Sequence, residues 1–139
     1  MEDCIFCKIV RNEIPSQRIY EDDRYLVFLD ISPVNVGHAL LIPRQHYADV
    51  DSTPPEVLAH LAKIAQKIAP AIVGATGAEA YNITINNGAA AGQMVSHVHL
   101  HLIPRFEDDG FHAWHGRKPY GEGEMAATAE KIKEELDRN

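Results

Sequence analysis

The sequence predicts an α+β fold, with an antiparallel five-stranded sheet, one long central helix and a C-terminal helix. Three observations predict it. Five strand-like runs are separated by short, turn-rich connections, which favour antiparallel neighbours. One long segment repeats its apolar positions at helical spacing, and a more polar segment near the C-terminus does the same. At 139 residues and 45% hydrophobic content the chain is expected to form a single domain over residues 1–139, with a core at 1–105 and a tail and helix at 106–139.

Each element follows from local chemistry. Cys4 to Arg11 reads as a short helical turn. Gln17 to Glu21 and Tyr25 to Asp30 read as two strands joined by Asp22 and Asp23, a hairpin. Ser32-Pro33-Val34-Asn35 breaks the chain, and Gly37 to Pro43 resumes as an apolar strand ended by proline. Asp51, Ser52 or Thr53 is suited to cap a helix opening at Pro54-Pro55-Glu56, where proline suits the first turn. Val57, Leu58, Leu61, Ile64, Ala65, Ile68 and Ile72 form its apolar stripe, and Pro70 is expected to kink or end it. Tyr81 to Ile85 reads as a strand, Asn86 to Gly92 as a small-residue loop, and His97 to Ile103 as the last strand. Glu124 to Leu136 closes the chain as a helix.

Thirteen basic residues against twenty acidic ones give a net charge of -7, with no basic cluster of the kind that tracks a phosphate backbone. Extended nucleic acid is therefore not the expected partner. No uninterrupted apolar stretch has membrane-spanning length, and Met1-Glu2-Asp3-Cys4 carries no leader pattern, so a cytoplasmic protein with no membrane partner is expected.

The chemistry concentrates in Ser96-His97-Val98-His99-Leu100-His101-Leu102-Ile103-Pro104. Alternate residues of a strand share a face, so His97, His99 and His101 would stand in one row while Val98, Leu100 and Leu102 face the core. A lone strand histidine is ordinarily a packing residue. Three at strict period two point to nucleophilic, proton-transfer or metal-binding work. The loop before them, with Asn86-Asn87-Gly88 and Ala91-Gly92-Gln93, places small residues where backbone approaches a ligand and amides where phosphoryl or hydroxyl oxygens are held. Both cysteines fall in Cys4-Ile5-Phe6-Cys7, a spacing that in a reducing compartment suggests a metal half-site or a redox pair. His60 reads as a surface or boundary residue, and His112 and His115 flank Trp114 in an aromatic-spotted tail suited to packing.

The run from Gly92 to Ile103 resembles the signature of the histidine triad (HIT) superfamily of nucleotide hydrolases and transferases. Cys4 to Ile9, Phe28-Leu29-Asp30-Ile31-Ser32-Pro33 and Gly37-His38-Ala39-Leu40-Leu41-Ile42-Pro43 resemble its N-terminal segments in order and spacing. The resemblance covers nearly the whole chain up to Arg105 and implies a HIT-like fold. It also implies hydrolysis of a nucleoside phosphoanhydride or phosphoramidate, such as a dinucleoside polyphosphate or an adenylated amine, at the α-phosphorus. His99 would be the nucleophile and would form a covalent nucleotidyl-imidazole. His101 would bind nonbridging oxygens or assist leaving-group protonation, and His97 would orient the row. His38 matches an outlying fourth histidine that would hold the nucleophile's ring. Asp30 matches a ribose-binding carboxylate, with Phe28 and Ile31 as walls of the base pocket, and Asn86 and Gln93 match phosphate-side contacts. Met94 departs from the hydroxyl residue of many members and cannot donate a hydrogen bond to a leaving group.

By the same resemblance His46 and His97 would complete a structural Cys2His2 zinc site with Cys4 and Cys7, one zinc per chain, as in the bacterial zinc-containing branch. A homodimer meeting through the central helix and a strand is likewise implied. A nucleotidyl transferase is the nearest alternative, although many transferases carry Gln at the position of His101. A zinc-stabilised nucleotide-binding module without turnover is the other.

Overall fold

A computed structural model describes residues 1–139. It contains α1 (Ile5–Val10), β1 (Arg18–Glu21), β2 (Tyr25–Leu29), β3 (Ala39–Pro43), α2 (Pro55–Thr76), β4 (Ala80–Thr84), a single 3-10 turn (Ala89–Ala91), β5 (Leu100–Arg105) and α3 (Glu124–Arg138). The strands form one sheet in the order β1-β2-β3-β5-β4, antiparallel at every junction. The five-stranded antiparallel sheet of the α+β class is thus present.

The sheet has a core on each face, which is why β2 and β3 are buried almost continuously instead of alternating. Tyr25, Val27, Ala39, Leu41, Leu100 and Leu102 pack against Leu61, Ile64, Ala65, Ile68 and Ile72 of α2. On the opposite face Leu26, Phe28, Leu40 and Ile42 pack against Phe6 and Ile9 of α1. By length and composition alone α2 would be able to cross a membrane, but here its apolar stripe lies on the sheet. The β1–β2 hairpin closes on Asp22, whose Oδ1 accepts from the Arg24 and Tyr25 N–H groups at 2.8 and 2.7 Å.

Three local expectations are corrected. Pro70 does not end α2, which runs on to Thr76 and stops at Gly77, left-handed at φ 73°. Pro70 lies on the exposed side, so the carbonyl that loses its helical partner there is not forced into the core. No side chain caps the start of α2: Ser52 and Thr53 turn their hydroxyls to the Asp49 carbonyl, and Pro55 removes one of the orphan donors. The last strand starts at Leu100, three residues later than His97. The preceding N–H groups leave the ladder, His97 to the Val95 carbonyl at 2.9 Å and Val98 to the Tyr47 carbonyl at 2.7 Å.

The chain separates into two compact units, Met1–Asp109 and Gly110–Asn139. At the end of the first unit the Asp109 carboxylate pairs with Arg105 and accepts from the Phe106 N–H and from Asn35 Nδ2. In the second unit α3 buries no residue, and Met125, Ile132 and Leu136 are exposed.

Candidate active site and metal centre

Two groups of side chains flank the entry to β5, and backbone atoms decide what each can do. His97 is fully buried. Its Nε2 lies 2.8 Å from the Pro43 carbonyl, and since a carbonyl only accepts, the ring proton sits on Nε2. Nδ1 therefore presents a lone pair, 3.5 Å from Cys4 Sγ and 3.6 Å from Cys7 Sγ. His46 Nδ1 lies 3.4 Å from Cys7 Sγ, and the four ligand atoms fall within 4.8 Å of one another. A tetrahedral zinc with bonds of about 2.3 Å to sulfur and 2.0 Å to nitrogen separates sulfur from nitrogen by about 3.5 Å. The donor set fits such a centre in chemistry and in spacing, with the Pro43 carbonyl orienting one ligand from behind. Burial, reinforced by the neighbouring Cys4, raises the Cys7 thiol, and burial pushes His97 down to about 4. A bound cation would reverse the first of these effects, because it favours thiolate.

His99 follows the same logic with the opposite nitrogen. Its Nδ1 is 2.7 Å from the His97 carbonyl, so Nδ1 carries the proton and Nε2 is left with its lone pair. The ring is clamped edge-on between Phe6 and His101, each with its centroid 5.0 Å away. Burial lowers its pKa, which keeps the ring neutral and nucleophilic near pH 7.

His38 does not hold His99, contrary to the expectation. The Val34 N–H donates to His38 Nδ1 at 3.0 Å, so His38 carries its proton on Nε2 and donates it to His101 Nδ1 at 2.9 Å. His101 is thereby fixed with its remaining proton on Nε2, a donor for a phosphoryl oxygen. Burial first, then the neighbouring His99 and His38, push His101 down to about 4. Asp30 stands 3.7 Å from His38 Nε2 and takes the Ser32 N–H on Oδ1 at 2.8 Å. Asp30, His38 and His101 are close enough for a cation, but the one lone pair of neutral His38 is already taken by Val34. The hydrogen-bond chain runs from the Val34 N–H through His38 to His101, with the Asp30 carboxylate beside it.

His99, His101 and Asp30 open onto a cleft of about 630 Å³. Its apolar wall includes Phe6, Ile9, Ile14 and Phe28, while Asn86 supplies an amide and Ile31, 96% exposed, sits on the rim. Gly92, at φ 92°, gives the loop a left-handed turn beside Asn86 that other residues rarely adopt. Gln93 is not part of this wall. Its Oε1 accepts from Gly88 N at 2.8 Å and its Nε2 donates to the Ala48 and Val95 carbonyls at 2.8 and 3.0 Å, so it braces the loop.

The HIT domain family profile matches residues 11–108. This chain belongs to the HIT family. It is 50% identical over 107 residues, 77% of this chain and 54% of that protein, to an Arabidopsis thaliana protein named an adenylylsulfatase. It is 39% identical over 134 residues, 96% of this chain and 98% of that protein, to a Schizosaccharomyces pombe protein named an adenosine 5'-monophosphoramidase. Among solved structures, a protein of Streptococcus mutans UA159 superimposes with TM-score 0.90 at 41% identity, covering 98% of this chain and 87% of that one. A Zn-bound histidine triad protein from Mycobacterium smegmatis gives TM-score 0.77 at 41% identity, covering 95% and 97%.

Within this HIT domain the three triad histidines divide between two tasks. His97 faces the cysteines; His99 and His101 face the cleft. Met94, 94% exposed, lies at the mouth of the cleft. His60 stacks on Tyr25 with ring centroids 4.7 Å apart, a boundary position as expected, and His112 and His115 pair with one another in the second unit. Phe6, the Val34 N–H and the Pro43 carbonyl also shape the site, and no motif announces them. Phe6 and Ile9 at helical spacing were a usable signal; backbone groups leave none.

Proposed function

We propose that this protein is a nucleotide hydrolase that cleaves an adenylylated small molecule at the α-phosphorus through His99. One observation carries the reading: the His97 carbonyl takes the His99 Nδ1 proton and leaves a neutral, buried Nε2 lone pair facing a cleft that also presents a carboxylate and an apolar wall. In this scheme Nε2 attacks phosphorus, the bond to the leaving group breaks, and water then displaces the nucleotide from the imidazole. His101 donates its Nε2 hydrogen to a phosphoryl oxygen, Asp30 accepts from the ribose hydroxyls, Asn86 lines the phosphate side, and Phe28 and Ile31 flank the base.

The names of the two relatives support the substrate class, since an adenylyl sulfate and an adenosine phosphoramidate both join a non-nucleotide group to the α-phosphorus. A phosphoanhydride such as a dinucleoside polyphosphate presents the same electrophile. Cys4, Cys7, His46 and His97 would hold one zinc per chain as a closed structural centre, supported by the donor spacing and by the Zn-bound relative. The proposal extends to a homodimer, supported by the exposed apolar side chains Tyr81 and Ile83 on edge strand β4. A cytoplasmic setting suits two free thiols.

The test is product analysis in water enriched in heavy oxygen, with adenylyl sulfate, adenosine phosphoramidate and a diadenosine polyphosphate as substrates. Label in released AMP, lost in His99→Ala, is the expected result. Tight AMP binding without turnover by the wild type would instead favour a binding module.

A further inference from the structure

The cleft contains one polar side chain that the mechanism above leaves unused. Ser16 lies between α1 and β1 and lines the cleft beside Ile14 and Pro15. Its Oγ is buried and has no hydrogen-bond partner, whereas buried hydroxyls ordinarily find one. Strand pairing locates it. Arg18 pairs with Phe28, and one step further out the Leu29 N–H donates to the Gln17 carbonyl at 2.9 Å. Continuing that register sets Ser16 across from Asp30, and directly opposed side chains of an antiparallel pair share a face with Cβ atoms about 5 Å apart.

We propose that Ser16 is a ribose-selecting residue that works opposite Asp30. The proposal rests on the reading of the cleft as a ribonucleotide site. A carboxylate only accepts, and a serine hydroxyl both donates and accepts. Together they satisfy a vicinal diol more fully than the carboxylate does alone, because the diol can donate to Asp30 while one of its oxygens accepts from Ser16. Rotation about a single side-chain torsion moves the serine hydroxyl among three staggered positions, so it meets the sugar without backbone movement. The orphaned oxygen is then a group left for the ligand to pair.

The experiment is calorimetric binding of AMP, 2'-deoxy-AMP and 3'-deoxy-AMP to the wild type and to Ser16→Ala. The wild type is expected to prefer AMP over at least one of the deoxynucleotides. Ser16→Ala should weaken AMP about five- to tenfold and weaken that deoxynucleotide less than about twofold, so that the two hydroxyl deletions are not additive. Equal weakening of all three ligands, or none for AMP, would overturn the assignment. A wild type that binds none of them would overturn the nucleotide reading itself, and loss of binding in Asp30→Asn alone would leave that reading standing while removing Ser16 from it.

Discussion

His97 and His99 are two residues apart, both buried, and suited to opposite chemistry. The difference is which nitrogen meets a backbone carbonyl. Pro43 takes the Nε2 proton of His97 and turns its Nδ1 lone pair to the cysteines, while the His97 carbonyl takes the Nδ1 proton of His99 and frees Nε2 toward the cleft. One residue, His97, thus carries the ring that faces the cysteines and, through its carbonyl, orients the ring proposed as the nucleophile. A histidine's role is set here by its acceptor more than by its place in the motif.

The comparison is broken most sharply by removing each side in turn. His99→Ala should lower kcat by on the order of a thousandfold or more while AMP affinity changes only a few-fold; steady-state kinetics beside calorimetry reads both. His38→Ala removes the donor that fixes His101 and is expected to lower kcat about 10- to 100-fold, with partial recovery in His38→Asn, whose amide can donate to the same nitrogen. Unchanged kcat in His38→Ala would show that the Val34–His38–His101 chain is structural only. On the metal side, Cys4→Ser should lose a zinc present at about one per chain and lower the thermal midpoint by about 10 °C, measured by metal analysis and calorimetry. Undiminished metal would contradict the assigned ligands.

Acid should act on the cleft side through His101 and His99. His101 is held at about 4 in the folded chain against about 6.5 when unfolded. Between those values the unfolded chain binds more protons, so the stability contributed by this group is fully present above about 6.5 and is lost as pH falls toward about 4. The lowered His99 likewise moves the acid limb of kcat/KM below the ordinary histidine value, and a limb at or above about 6.5 would contradict a buried neutral nucleophile. The smallest effect belongs to Gln93→Ala. Its three backbone bonds brace a loop, so stability should drop by about 1–2 kcal/mol with kcat changed only a few-fold. A large kcat loss at unchanged stability would return Gln93 to direct substrate contact.

The sheet, its antiparallel order and the helix stripe were legible because apolar periodicity reports which face is buried. Val98, Leu100 and Leu102 face the core as their spacing requires. Periodicity makes the histidine row legible as one site and only the family resemblance divides it into two, since period-two reasoning assumes a regular strand and the chain becomes one only at Leu100. The family resemblance puts His38 in the site but beside His99, because only the folded loop shows that the Val34 N–H occupies Nδ1 and turns Nε2 to His101. Ser16 carries no pattern at all; its interest arises from an oxygen without a partner.

The most direct test of the central claim is to quench turnover in alkali, where a phosphorus–nitrogen bond to histidine survives, and to map the peptide spanning His97 to Arg105 by mass spectrometry. One adenylyl group on His99 in the wild type, absent from His99→Ala, is the predicted result. Turnover with the adenylyl group on another residue, or with no covalent species at any time, would contradict it.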